Sequence, residues 1–252
     1  MSVLELQSDV IYGPIDSRRL GRSLGINLLP ITHKLCTFDC IYCQYGSSQT
    51  ASLTERETGF PSVDEVLRKV ETALGQQPAP DYLTFSGNGE PTLHPYFPEI
   101  VAEVRRLRDR LCPDTRLAIL SNSSRVSEPE IRKAVEQLDD PIKKLDAGDP
   151  ETLASINRPL AGVAFEEMIA GLRAMSRLII QSMIVTGPVQ NVEGEAHETW
   201  LKALVYLAPQ RVQIYGAERP VAETGVERVP KQVLKRLARN AEQRAGVSVT
   251  AY

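Results

Sequence analysis

Short apolar, β-branched runs alternate along this chain with longer stretches whose apolar residues recur every three or four positions. The short runs cover residues 23–30, 82–86, 116–121, 142–146, 178–186 and 211–216. Their length and β-branched content read as buried strands. The longer stretches predict helices over 63–74, 96–111, 128–138, 165–176, 196–207 and 231–245. The second helix carries Ile100, Val101, Val104, Leu107 and Leu111, a spacing that lines up one buried face. Ser62 is placed to cap the first helix. Ser127 with Glu130 three residues on forms a capping-box pattern for the third. The charged residues of these helices read as a solvated outer face.

Strands that alternate with helices imply parallel strands joined by right-handed crossovers. About six βα units are present, which points to an α/β fold, a partial (β/α)6 TIM-like barrel with parallel strands. An open doubly wound sheet is also compatible with the pattern. No Pro/Gly/Ser linker or composition step divides the chain, so residues 1–252 read as a single domain. Its loop of interest spans 31–46, its core about 20–218, and a closing helix about 231–245. In such folds function sits where strands end and loops begin.

Composition narrows the classes. At 42% hydrophobic and 24% charged, the chain is an ordinary globular one rather than a disordered one. Its net charge of −3 and lack of a basic run do not favour a nucleic-acid partner. The first ten residues lack a basic start and an apolar signal-peptide stretch, and 18 consecutive apolar residues occur nowhere. The cytoplasm is the expected compartment, with no membrane partner.

Three of the four cysteines crowd into eight positions as Cys36, Cys40 and Cys43, just after the first expected strand. That crowding points to a metal site in a reducing compartment. Thiolates suit zinc, copper(I) or iron–sulfur clusters. Three on one loop can wrap three corners of a cuboidal cluster and leave the fourth iron open. An electron-transfer cluster would want a fourth cysteine. Cys112, after the second helix, reads as a structural or surface thiol. His33 as fourth ligand would make a Cys3His zinc site.

The C-x3-C-x2-C motif with an aromatic residue, Tyr42, before its last cysteine resembles the radical S-adenosylmethionine (SAM) superfamily. The resemblance implies a [4Fe–4S] cluster on Cys36, Cys40 and Cys43. It also implies SAM chelating the open iron, and reductive cleavage to a 5′-deoxyadenosyl radical. Tyr42 would then lie near the adenine; otherwise it packs the loop. The second expected strand runs into Ser86-Gly87-Asn88-Gly89-Glu90-Pro91, a turn that alone is no more than a βα turn. It resembles the superfamily's Gly-Gly-Glu-Pro turn, departing by Asn88, and implies that Gly87, Asn88, Gly89 and Glu90 receive the cofactor's amino group. At other strand ends Ser121, Asn122 and Asp146 are either caps or cofactor and substrate contacts.

Residues 12–26, 144–149 and 156–159 resemble an iron–sulfur oxidoreductase branch related to the tRNA wybutosine-synthesis radical enzymes. Those relatives need cysteines for a second cluster, and this sequence has none to spare. The tRNA substrate is therefore not carried over, and no catalytic side chain beyond the cofactor contacts is assigned. Arg18 and Arg19 either hold a carboxylate or phosphate, or lock the loop in place. Lys143 and Lys144 can form imines in principle, but lysines are mostly exposed. The leading expectation is a radical enzyme that abstracts hydrogen from an unknown substrate, small or macromolecular, and takes electrons from a flavodoxin or ferredoxin. Its rivals are a non-catalytic iron–sulfur or zinc module, and a glycyl-radical activase of a partner protein.

Overall fold

The computed structural model describes residues 4–48, 59–76, 78–160, 162–217, 221 and 223–252. Residues 1–3 of the N-terminal stretch weighed above fall outside that set. Eight strands form one sheet in sequential order: β1 (Ile11–Ser17), β2 (Gly21–Ile26), β3 (Tyr82–Phe85), β4 (Arg116–Ser121), β5 (Asp140–Lys144), β6 (Ile179–Ile184), β7 (Arg211–Gly216) and β8 (Ser248–Ala251). From β2 to β8 every neighbouring pair is parallel, and β1 alone is antiparallel, as a hairpin with β2. The mostly parallel α/β fold expected from the sequence is the fold found.

Two strands extend the six-strand expectation. β1 holds a Gly13-Pro14 pair inside its run, and its pairing with β2 shifts register there. Proline cannot donate to a ladder and is confined to edges or bulges, and β1 is an edge strand. β8 has four residues, only Val249 of them buried. Both are too short or too broken to stand out as apolar runs.

The crossover helices are α1 (Val63–Leu74), α2 (Phe97–Leu111), α3 (Pro129–Val135), α4 (Pro150–Ile156), α5 (Phe165–Arg173), α6 (Gly194–Leu207) and α7 (Lys231–Ala245). Ser62 caps α1 by accepting from Glu65 N–H, as its position suggested. In α2 the buried residues Phe97, Ile100, Val101, Val104 and Arg108 follow the three-to-four spacing, whereas Leu107 is half-buried and Leu111, expected on the same face, is exposed at the helix end. The capping box expected at Ser127 does not form. The helix starts one residue later, behind Glu128, because Pro129 has its φ preset for the first helical position and no N–H to lose there. Glu128 pairs instead with Arg125.

The helices bury their apolar faces on one side of the sheet, with Phe85, Ile100, Leu117, Ile119, Ile180 and Trp200 in one continuous core. On the other face Leu20, Ala118, Ile142 and Ile179 form a separate small cluster. Along β4 and β5 the side chains alternate between these faces, which sends Ile142 and Lys144 one way and Lys143 the other.

Candidate functional site

The loop after β2 carries the three thiols, and two distant segments fix its path. Leu35 bridges to Gly89, with Leu35 N–H donating to Asn88 O at 2.9 Å and Glu90 N–H to Leu35 O at 3.0 Å. A Cβ on Gly89 would stand 1.7 Å from the Leu35 oxygen, so only glycine allows this approach. On the other flank Phe38 bridges to Pro159, and Asp39 and Ile41 N–H groups donate to Asn157 and Ile156 carbonyls. Lys34, buried beneath the loop, donates to Gly46 O at 2.7 Å. Burial alone would lower its pKa, but Cys43 and Cys36 in their ionised forms, with Asp39, outweigh that and raise it.

A single cavity at the strand ends is lined by Cys36, Cys40, Cys43, Tyr42, Glu90 and Lys144, together with Gly87, Gly89, Ser121 and Asn122. Asn88 and Asp146 are not on its wall. Asn88 is fully buried and gives its side chain to Gln7 N–H and O and to Pro30 O, which pins the N-terminal segment. Asp146 stands behind Tyr42, accepting from the phenol, from Asn157 Nδ2 at 2.7 Å and from Met183 N–H at 2.7 Å.

Glu90 is 1% exposed and its carboxylate is held by four donors. Oε1 accepts from Thr92 N–H, Thr92 Oγ1 and Ser121 Oγ; Oε2 accepts from Asn122 N–H at 2.6 Å. Oε2 therefore keeps acceptor capacity toward the cavity. Asn122 Nδ2 also donates to Thr37 Oγ1 at 2.7 Å and lies 3.5 Å from Cys36 Sγ.

All three cysteines are half-buried, and desolvation pushes the Cys36 thiol up to about 12 and the Cys40 thiol up to about 11. Groups so shifted stay protonated at neutral pH unless a cation takes up their charge, the usual condition of soft metal ligands before loading. Among the described residues no three His, Cys, Asp or Glu side chains converge closely enough for one metal ion. His33 is half-buried, its Nδ1 3.0 Å from Thr32 Oγ1, and is not on the wall of the cavity that the three thiols line, so it does not join them as a Cys3His zinc ligand. Three soft thiol donors on one cavity wall are the type of donor set that an iron–sulfur cluster takes. Cys112 is buried at the end of α2, donates to Leu74 O, and takes no part in this cavity.

Neither lysine of β5 is on the surface, contrary to the expectation for lysines in general. Lys143 is fully buried on the helix side, 3.1 Å from Ser121 Oγ, and burial lowers its pKa to about 8 despite the nearby Glu90. Lys144 faces the cavity and donates to Tyr215 Oη at 2.9 Å, with its ammonium 4.9 Å from the Tyr42 ring centre. From sequence, Asn157 stands out only as part of the motif at 156–159. Its Nδ2 reaches Cys40 Sγ at 3.3 Å and Tyr42 Oη at 2.9 Å.

Fold and site together define an α/β protein whose parallel strand ends open into a thiol-lined cavity. The Radical SAM superfamily model matches residues 31–201, and the chain belongs to that superfamily. Its members use a [4Fe–4S] cluster and S-adenosylmethionine. The chain is 32% identical over 235 residues to a UPF0026 protein of Methanocaldococcus jannaschii, covering 90% of this chain and 70% of that protein. It is 27% identical over 249 residues to a protein named GTPase Obg of Brachyspira hyodysenteriae, covering 97% of this chain but only 35% of that relative. Among solved structures, TYW1 with a lysine-pyruvate adduct bound superposes with a TM-score of 0.64 at 14% identity, covering 89% of this chain and 74% of TYW1. That likeness is one of fold.

Proposed function

We propose that this protein is a radical SAM enzyme in which Cys36, Cys40 and Cys43 hold the [4Fe–4S] cluster and Glu90, Gly89, Gly87, Ser121, Asn122 and Tyr42 receive S-adenosylmethionine. The reading is carried by one observation: three thiols, the Gly87–Glu90 turn and Tyr42 line the same cavity at the strand ends. When bound, the two groups supply reductive carbon–sulfur cleavage and a 5′-deoxyadenosyl radical that takes hydrogen from the substrate.

The side chains bind, orient and shield. Glu90 offers Oε2 to an ammonium, and its other contacts keep the carboxylate from turning away. Tyr42 is a wall held in place by Asp146 and Asn157, so Asp146 positions Tyr42 without touching the cofactor. Asn88 likewise acts at a distance, by fixing the turn against residue 7. Lys144 supplies a cation for a carboxylate. Phe38, Leu120 and Ile142 keep water from the interior side. One domain over residues 1–252, a flavodoxin or ferredoxin as electron donor, and a cytoplasmic setting complete the proposal. Four free cysteines support the last of these.

The test is anaerobic reconstitution with iron and sulfide, reduction by dithionite, addition of S-adenosylmethionine and assay for 5′-deoxyadenosine. Formation of the nucleoside, abolished in Cys40→Ala, is the expected result. A cluster whose electron resonance ignores S-adenosylmethionine, with no nucleoside formed, would refute the assignment.

A further inference from the structure

A second cavity, about 360 Å³ in volume, adjoins the thiol-lined one, and Leu120 contributes to the walls of both. The turn between β1 and β2 brings Arg18 and Arg19 to its wall. The Arg19 guanidinium lies over the Tyr215 ring, 4.7 Å from its centre. One of its terminal nitrogens, Nη1, is buried and has no hydrogen-bond partner among the described residues. A buried cationic N–H left unpaired is costly, and native proteins seldom leave one without a reason. The acidic residue on the same wall, Asp16, is exposed to solvent.

The rest of the lining suits a ligand with one anionic end. Tyr12 Oη and Ser86 Oγ pair at 2.6 Å, and Ser23 Oγ and Thr84 Oγ1 at 2.8 Å, so residues with neutral hydroxyls line the same cavity as Arg19. Leu120 and Met183 supply apolar surface. The volume is in the range of small-molecule sites. Tyr215 joins the two cavities physically: Arg19 stacks on its ring and Lys144, on the wall of the thiol-lined cavity, donates to its hydroxyl.

We propose that this second cavity is the substrate site and that the Arg19 guanidinium receives a carboxylate or phosphate of a small anionic substrate. The ligand's other end is then directed past Leu120 toward the thiol-lined cavity. The inference rests on the proposed enzyme reading for the word substrate, whereas the anion site itself stands on the cavity and the unpaired guanidinium. Arg18 shares the wall, has interactions of its own, and is not needed for this assignment.

The experiment is thermal unfolding of the reconstituted full chain with succinate or with inorganic phosphate, at ionic strength held constant with sodium chloride. At ten times its dissociation constant a bound anion should raise the melting temperature by about 3 °C. The succinate arm reports a carboxylate site and the phosphate arm a phosphate site. In Arg19→Lys, which keeps the charge but loses the planar fork, the shift should fall at least by half. In Arg19→Gln it should vanish, while Arg105→Gln on the exposed face of α2 keeps it. Should Arg19→Gln not fold, titration of wild type labelled with 15N-arginine gives the same information from the Arg19 side-chain resonance.

Three outcomes would overturn the inference. One is a wild type that neither anion stabilises. Another is an equal shift in the Arg19 variants. The third is a shift that S-adenosylmethionine competes away, which would hand the guanidinium to the cofactor's carboxylate. An Arg19-dependent shift in a protein that forms no 5′-deoxyadenosine would support the anion site while sinking the enzyme reading, so the two failures can be told apart.

Discussion

Replacing Gly89 with alanine should damage the thiol-bearing loop more than the rest of the molecule, and the cost can be worked from the structure. The new Cβ would stand 1.7 Å from Leu35 O and 2.5 Å from Leu35 C, both backbone atoms with no rotamer to yield. Turn and loop must part by more than an ångström. That breaks the two backbone hydrogen bonds flanking the contact, Leu35 N–H to Asn88 O and Glu90 N–H to Leu35 O. Each is worth about 1 kcal/mol net. The φ of +145° at Gly89 adds about 1–3 kcal/mol of strain for any other residue. The total is about 3–5 kcal/mol, or roughly 10 °C in melting temperature for a domain of this size. Gly246→Ala is the control: its φ is +67° but nothing lies within 4 Å of the added carbon, so it loses only about 1–2 kcal/mol. Differential scanning calorimetry of both variants, with iron and sulfide counted per chain after reconstitution, makes the comparison. A Gly89→Ala protein that melts within 2 °C of Gly246→Ala and holds a full complement of iron would refute the reasoning.

Three other changes should separate chemistry from stability. Asn157→Ala removes the amide donor near Cys40 Sγ and the contact to Tyr42; spectroelectrochemical titration should find a cluster potential lower by tens of mV, on the order expected for a lost hydrogen bond to sulfur. An unchanged potential would show that the amide does not act on the thiolate. Arg108→Ala deletes a buried cation that bonds Thr115 O and Asp139, both through Nη1; urea unfolding should lose about 2–4 kcal/mol while 5′-deoxyadenosine formation per folded chain is unaltered. Tyr12 is the third case. Burial raises its phenol pKa from 10.0 to about 12, against a smaller opposing effect from Ser86. The unfolded chain then loses this proton first, so stability from this group is whole below pH 10 and drains away between pH 10 and 12. Tyr12→Phe should therefore show an alkaline loss shallower by about 2–3 kcal/mol over that window, read from denaturation midpoints; parallel pH profiles would count against it.

How much of this was legible beforehand differs between scaffold and site. Strands β4 and β7 match the expected runs to the residue, β4 because Leu117–Leu120 is a continuous apolar run and β7 because its Val, Ile and Tyr stand between the helix before it and the glycine that ends it. The helices with strong three-to-four periodicity, α1 and α2, were equally plain. The edge strands β1 and β8 were not, since an edge needs neither continuous burial nor unbroken donors. The pattern for the third helix runs about a turn beyond its end at Val135, because it does not show where backbone hydrogen bonds give way to the turn before β5.

The sequence by itself determined the spacing of the three thiols, the glycine turn and the alternation of strand and helix. Each of these depends on neighbours within a few residues of one another, and local covalent geometry limits what such neighbours can do. The tertiary structure alone decided that Asn157 meets Cys40 across 117 positions, that Tyr42 leans on Asp146 across 104, and that Arg19 lies on Tyr215. It also decided that Lys143 and Lys144, adjacent in the chain, part company: one goes into the helix layer and one toward the cavity. These pairings follow from strand register and from the order in which the strands lie side by side. Register is set by the packing of the whole sheet, and no window of sequence contains it.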